Sequence, residues 1–316
     1  MSLPALIIGG QGGSPFNFSG INNGATLQKI WVWVGGWQVK SIKVWLTDGR
    51  SMQFGNPSGN YSEFIFENEE HLTSLSLWGN GAGTRLGAIK FKTNHKREFF
   101  ASMTEWGLKT EYPIDTGSGV CMGVTGRAGS DIDCLGFIFI DTIKYTVLKN
   151  VRYPTLDQTK PNVTTEEIKS ATYQNKSTVP QQYNIQTSKK ITTTSSWSMT
   201  NKMEFSFHME VKAIIPEVME LSAGFSFTLG TESTRGLVNS EEKTELMSFT
   251  ITVPAGKNMD VDITIGRATV ELPYTGIVQI TCVNGSVLEF PTSGTYKGVT
   301  YTDAKTTVTE SNKQLV

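Results

Sequence analysis

Residues 205–229 alternate with a period of two. Phe205, Phe207, Met209, Val211 and Ala213 are apolar, and Ser206, His208, Glu210 and Lys212 between them are polar. After Ile214-Ile215-Pro216-Glu217-Val218 the odd positions are apolar again, at Met219, Leu221, Ala223, Phe225, Phe227 and Leu229. Such a period is a strand signal, because it collects alternate side chains on one face. Two runs of equal parity around a proline-containing break predict a hairpin with its turn over 214–218. Each arm has about 9–11 residues, the length a tilted strand needs to cross a bilayer. The pattern therefore serves two folds: an amphipathic hairpin on a soluble core, or a barrel hairpin facing lipid on one side and water on the other. In the second case the odd-numbered apolar residues face lipid and Ile214, Ile215 and Val218 form the leading tip. Ser206, Ser222, Ser226 and Thr228 then line the lumen.

The 316 residues predict two domains. A net charge of −1 provides no basic field for phosphates, so nucleic acid is not an expected partner. No run of about 18 apolar residues is present to form a transmembrane helix. The N-terminus lacks a basic segment, and its apolar stretch, Leu3–Ile8, is short for a signal peptide. Cytosolic storage or unconventional release is the expectation, with action at an extracellular face or target membrane. Cys121, Cys134 and Cys282 are too few and odd in number for a disulfide framework, and are read as buried thiols.

Composition changes along the chain. Residues 1–147 hold six of the seven Trp, and short apolar runs recur at 30–34, 39–46, 63–66, 73–78, 88–92, 120–124 and 135–140. Turn pairs such as Asp48-Gly49 and Asn80-Gly81 punctuate them, which reads as an all-β domain. Residues 148–316 are rich in Ser, Thr and Lys, with alternation over 245–253 and 259–265 and a hairpin signal at Asn284-Gly285. A helical turn near 164–169 is the one helical expectation.

Catalytic chemistry finds little support. Gly117-Ser118-Gly119 lacks the spacing of a nucleophile elbow, and His71, His95 and His208 lack metal-ligand spacing. Gly79-Asn80-Gly81-Ala82-Gly83 leads into a strand and not into the helix that a phosphate loop requires. No enzyme activity, cofactor or metal is expected. A more specific constellation pairs Gly9-Gly10-Gln11-Gly12-Gly13 with Gly126–Asp133. A neutral sugar needs a carboxylate that accepts adjacent hydroxyls, and exposed amides on a backbone it can approach closely. Asp133 would accept, and the amides of Gly13, Ser130 and Asp131 would donate. Asp131 and Asp133 could equally be turn carboxylates bonded to their own loop.

The Gly-Gly-x-Gly-Gly opening, Thr93-Asn94 and Gly129-x-x-x-Asp133 occur in the order found in jacalin-type mannose-binding lectins, which the first 145 residues resemble. The resemblance implies a β-prism of three sheets with a sugar site of Gly13, Ser130, Asp131 and Asp133. The loop His95-Lys96-Arg97-Glu98 departs from it, being charged where plant members carry Gly-Pro-Tyr. The second half resembles an aerolysin-type module, which implies an elongated β fold whose amphipathic segment refolds into a barrel hairpin. Such a fusion is the arrangement of the natterin-like, vertebrate aerolysin-like proteins. It implies glycans of surface glycoproteins as the first partner. A homo-oligomer (a dimer in solution, a ring on the membrane) and membrane lipid would follow. Phe205, Phe207, Met209, Val211, Ile214, Ile215, Met219, Leu221, Phe225 and Phe227 would enter the bilayer. The alternative is a soluble lectin whose second domain only mediates oligomerisation.

Overall fold

The computed structural model describes residues 5–200 and 209–311, and they are almost entirely strand. Two compact units result. Among the described residues, the first comprises 5–149, 199–200, 209–210 and 276–293, and the second 150–198, 211–275 and 294–311.

Three four-stranded antiparallel sheets build the first unit. One contains β1 (Ile8–Gly9), β2 (Ser14–Ser19), β11 (Cys121–Ala128) and β12 (Ile132–Phe139), in the order β1-β12-β11-β2. A second contains β3 (Leu27–Val34), β4 (Val39–Leu46), β5 (Ser51–Gly55) and β6 (Tyr61–Ile65), ordered β5-β4-β3-β6. The third contains β7 (Leu72–Gly79), β8 (Leu86–Thr93), β9 (Glu98–Ser102) and β10 (Glu111–Ile114), ordered β10-β7-β8-β9. Alternation decides which faces meet: Ile30, Val32, Ile42, Val44, Leu75, Leu77, Ile89, Phe91, Leu135 and Phe137 join one central core. This is the β-prism that the sequence implied. Cys121 and Cys134 lie on the adjacent strands β11 and β12, but Cys121 opposes Phe139 and Cys134 opposes Arg127. Both are buried and free, as is Cys282, and burial pushes the Cys121 thiol up to about 12.

Mostly longer strands make up a fourth, nine-stranded sheet: β13 (Ile143–Arg152), β14 (Asn162–Gln174), β15 (Gln181–Met199), β16 (Met209–Leu221), β17 (Gly224–Gly236), β18 (Val238–Val253), β19 (Asn258–Cys282), β20 (Val287–Tyr301) and β21 (Lys305–Glu310). Their order is β17-β16-β13-β19-β20-β15-β18, with β14 and β21 also on β19. Residues 164–169, expected as a helical turn, lie inside β14, where Thr164 to Lys169 pair with Arg267 to Ile263. Their Thr-rich composition favours a half-exposed strand over a helix. Among the described residues the helical piece is a single 3₁₀ turn, Leu156–Gln158, and no helix is long and apolar enough to cross a membrane. Ile185, Ile251, Val253, Val261 and Ile263 form one cluster of this unit. Tyr153, Trp197 and Tyr296 pack as another, with ring centroids 5.4 Å (Tyr153–Tyr296) and 5.1 Å (Trp197–Tyr296) apart.

The hairpin differs from its expectation in one respect. Its turn is not at 214–218, since β16 runs unbroken from Met209 to Leu221 and the chain reverses at Ser222-Ala223. Small residues and Gly224, with φ +125°, make that tighter turn. Ile214 and Ile215 are therefore not a tip. Both are half-buried within the strand, and the burial alternation slips there by one residue, directly before Pro216, which cannot donate to a ladder. The slip splits the apolar row. Met209, Val211, Ala213, Val218 and Phe227 are buried, whereas Met219, Leu221, Phe225 and Leu229 are 44%, 48%, 36% and 48% exposed. Phe205 and Phe207 lie outside the described residues.

Candidate carbohydrate site

The glycine loop between β1 and β2 lies directly on the start of β12. The Gly10 amide donates to the Asp133 carbonyl at 2.7 Å. A Cβ on Gly9 would stand 2.1 Å from that same carbonyl oxygen, so no side chain fits. Cβ atoms on Gly12 and Gly13 would each stand 2.4 Å from a carboxylate oxygen of Asp133. The four glycines are thus what brings this backbone onto the acid. Gly129 closes the far side, its Cβ direction pointing to Gly13 Cα at 3.8 Å and Asp133 Oδ2 at 3.9 Å. Arg127 fastens the loop from β11, donating through Nε to the Gly12 carbonyl and through Nη2 to the Gly13 carbonyl, both at 2.8 Å.

Gly13, Ser130, Asp131 and Asp133 are thereby brought together. Gly13 and Ser130 are exposed, Asp131 is half-buried and Asp133 is buried. The Ser130 carbonyl accepts from the Asn56 amide at 3.0 Å, and the Asp131 carbonyl from Gly129 at 3.1 Å. Neither carboxylate is merely bonded to its own turn. Arg85 Nη1 lies 2.9 Å from Asp133 Oδ1, and Arg85 Nε 3.5 Å from Asp131 Oδ2. Lys40 Nζ reaches Asp131 Oδ1 at 2.7 Å. Burial alone would raise the Asp131 carboxyl. Hydrogen bonds from Lys40 and Gln38, with the charges of Lys40 and Arg85, outweigh it and hold the group below the ordinary carboxylate range.

Sequence reasoning missed Lys40, Arg85 and Arg127. Arg85 had a trace in the sequence, because it ends the glycine-rich loop 79–83. That loop is no phosphate cradle. Asn80 folds it by accepting at Oδ1 from the amides of Ala82, Thr84 and Arg85 at 3.2–3.3 Å, which delivers Arg85 at the start of β8.

The charged loop 95–98 is structural in kind. Arg97 Nε donates to Glu70 Oε1 at 2.9 Å and its Nη2 contacts Oε2, while Thr93 Oγ1 donates to Oε1. Glu67, Glu70 and His95 could in principle hold a cation, but the guanidinium of Arg97 already stands on both glutamates. Burial would raise the Glu70 carboxyl, and the bonds from Arg97, the Glu67 amide and Thr93 more than reverse this.

Two predictions follow from the loop. Gly13 has φ +63°, where a side chain costs about 1–2 kcal/mol, and a Cβ would also meet Asp133 Oδ2 and the Ala128 carbonyl carbon at 2.4 and 2.5 Å. Gly13→Ala is expected to lower the melting temperature and to weaken glycan binding at least tenfold. Wild-type binding on a glycan array would contradict this loop as the site. The second concerns acid. Asp131 and Glu70 have folded pKa values below their unfolded ones, so their stabilisation is complete above about pH 4 and is lost as pH falls through the folded values. Substituting Asp131→Asn should therefore leave a stability deficit that is constant from pH 7.5 to 5 and shrinks below pH 4. A deficit that shrank between pH 7 and 5.5 would disprove the assignment.

Comparison with known proteins agrees with this geometry. Residues 6–138 match the Jacalin-like lectin domain family. The crystal structure of lamprey immune protein is 58% identical and superposes with a TM-score of 0.93, covering 98% of each chain. Natterin-1 of Thalassophryne nattereri is 24% identical over 157 residues, half of this chain and 44% of that protein, so this match spans less than half the relative's length. Malaysian banana lectin, at 24% identity and a TM-score of 0.37, covers 45% of this chain and 98% of the lectin. With a β-prism carrying the paired glycine loop and a second unit of long strands, the chain belongs to the natterin-like family, in which a jacalin-like lectin domain is joined to an aerolysin-like module.

Proposed function

We propose that this chain is a glycan-guided pore former. The lectin unit docks on glycans of surface glycoproteins and concentrates the protein there. Crowding then permits a ring, and each subunit contributes the β16–β17 hairpin to a shared barrel, which satisfies every backbone group in lipid. No catalytic step, metal or cofactor is required, and the site of action is the target membrane.

The observation that carries this reading is the state of the hairpin. Its arms are 13 residues each, longer than a bilayer-spanning strand requires. Four large apolar side chains near its turn, Met219, Leu221, Phe225 and Leu229, face solvent. Such a patch is a liability for a purely soluble protein and an asset for one that meets lipid. Beside it the second unit leaves an open cleft of about 1310 Å³, lined by Val218, Met219 and Leu221 on the hairpin and by Met247, Phe249 and Lys305 opposite. The turn end stands beside open space, with the Glu220–Lys305 ion pair across the cleft, as suits a segment that must leave. Kinship to lamprey immune protein over the whole chain supports the same reading.

Dye release from liposomes tests it. Liposomes bearing an N-glycosylated protein should leak, and the same liposomes after enzymatic deglycosylation should not. Binding without leakage would leave a soluble lectin with an oligomerising second domain.

A further inference from the structure

A neutral hexose needs a carboxylate that is free to accept. Neither acid of this site is free. Asp133 is capped at Oδ1 by Arg85, lies under the glycine loop at Oδ2, and has a side chain only 3% exposed. Asp131 is held between Lys40 and Arg85, with its side chain 13% exposed. The cations lie above the acids: the side chains of Arg85 and Lys40 are 35% and 28% exposed. An incoming ligand therefore meets bases first.

The balance of charge agrees. Lys40, Arg85 and Arg127 stand against Asp131 and Asp133, three cations to two anions, an excess of one. Exposed Lys109 packs on Gly81 of the loop that delivers Arg85, and the further carboxylate at the 35–38 loop, Glu105, packs on Gly36. The excess of one persists with both included. Of the four ion-paired side chains, Arg85 is the most exposed. Its Nη1 is used twice, by Asp133 and by the Thr84 carbonyl at 2.9 Å. Its Nε is buried, makes no hydrogen bond and stands 3.5 Å from Asp131 Oδ2. A partly exposed guanidinium matches a carboxylate or sulfate, whose oxygens accept from its charged N–H groups.

We propose that this site takes an acidic saccharide, a sugar carrying a carboxylate or sulfate, and that Arg85 is the residue that sets this specificity. The proposal rests on the lectin reading above and narrows it. Arg85 bridges the two acids and keeps 35% of its side chain exposed to meet the ligand anion. Lys40 adds a second cation, and the amides of Gly13 and Ser130 are left for the ligand's hydroxyls. A neutral hexose could reach Asp133 only by expelling Arg85.

Calorimetric titration of the full chain with methyl α-mannoside, methyl β-glucuronide and glucose 6-sulfate tests this. An acidic sugar should bind at least tenfold tighter than the mannoside. Its affinity should fall several-fold between 50 and 200 mM salt, as charge screening requires. The two anionic arms tell carboxylate from sulfate, and preference for either supports the proposal. Arg85→Gln, which keeps shape but removes charge, should cut the preference to threefold or less. Arg85→Ala should bring mannoside binding level with it or ahead. If these variants do not fold, the wild-type preference and its salt dependence decide alone. Mannoside binding equal to or tighter than both acidic sugars would overturn the proposal while leaving a lectin. Binding of no saccharide, on these titrations and on a glycan array, would remove the lectin reading as well.

Discussion

Leu229→Arg is expected to fold normally, bind glycan normally and release no dye. Leu229 is 48% exposed on β17, so a long polar side chain there has a solvated place in the soluble protein and costs little. In the proposed barrel it would share the lipid-facing row with Phe225 and Phe227. Leu229 stands six residues from Ala223, which places it near mid-depth of a spanning strand. An arginine at the bilayer midplane costs about 2–4 kcal/mol, and every subunit of the ring bears that cost. The exposed residues make a cleaner test than Val211, which is fully buried and whose replacement would damage the soluble fold first. Thr228→Arg turns the charge into the lumen, so dye release should persist with altered ion selectivity. Equal leakage from Leu229→Arg and wild type would place this strand outside the membrane.

A reversible tether should switch activity off and on. Glu220, near the end of β16, forms an ion pair with Lys305 at the start of β21. Replacing the two by cysteine and joining them with a short bifunctional thiosulfonate reagent fixes the hairpin to the body across the cleft. Native thiols do not compete, because Cys121, Cys134 and Cys282 are buried, and Cys121 is also raised far from its reactive range. The unlinked double variant should leak as wild type does. The linked protein should bind glycan but retain less than a tenth of the leakage, and reductant should restore it. Leakage by the linked form would show that the hairpin need not leave the body.

The sequence made the first unit legible because its strands are short and one face of each is buried. The runs at 39–46, 73–78 and 88–92 correspond to β4, β7 and β8 within one or two residues. The strands β2, β5 and β9 were not read, since Ser14–Ser19, Ser51–Gly55 and Glu98–Ser102 are partly exposed and carry little alternation. The 25-residue length of β19 was hidden for a different reason. Its burial alternates nearly throughout, but Gly266, Pro273 and Gly276 punctuate it as turn residues would. At the hairpin, parity was legible and its interruption was misread. Pro216 suggested a turn, whereas the strand absorbs it by slipping register and turns later, on small residues. At the candidate site, the glycines and Asp133 could be found because close backbone approach leaves a spacing behind. Lys40 and Arg85 could not, because ion pairs between residues far apart in the chain leave no local pattern.

Imaging the protein on membranes asks the central question directly. Electron microscopy of the full chain on glycoprotein-containing vesicles should show closed rings, with a tubular density crossing the bilayer beneath each. Deglycosylated vesicles should remain bare. Glycan-dependent decoration without rings or crossing density, at protein concentrations that saturate the surface, would contradict the account and leave a lectin that binds and goes no further.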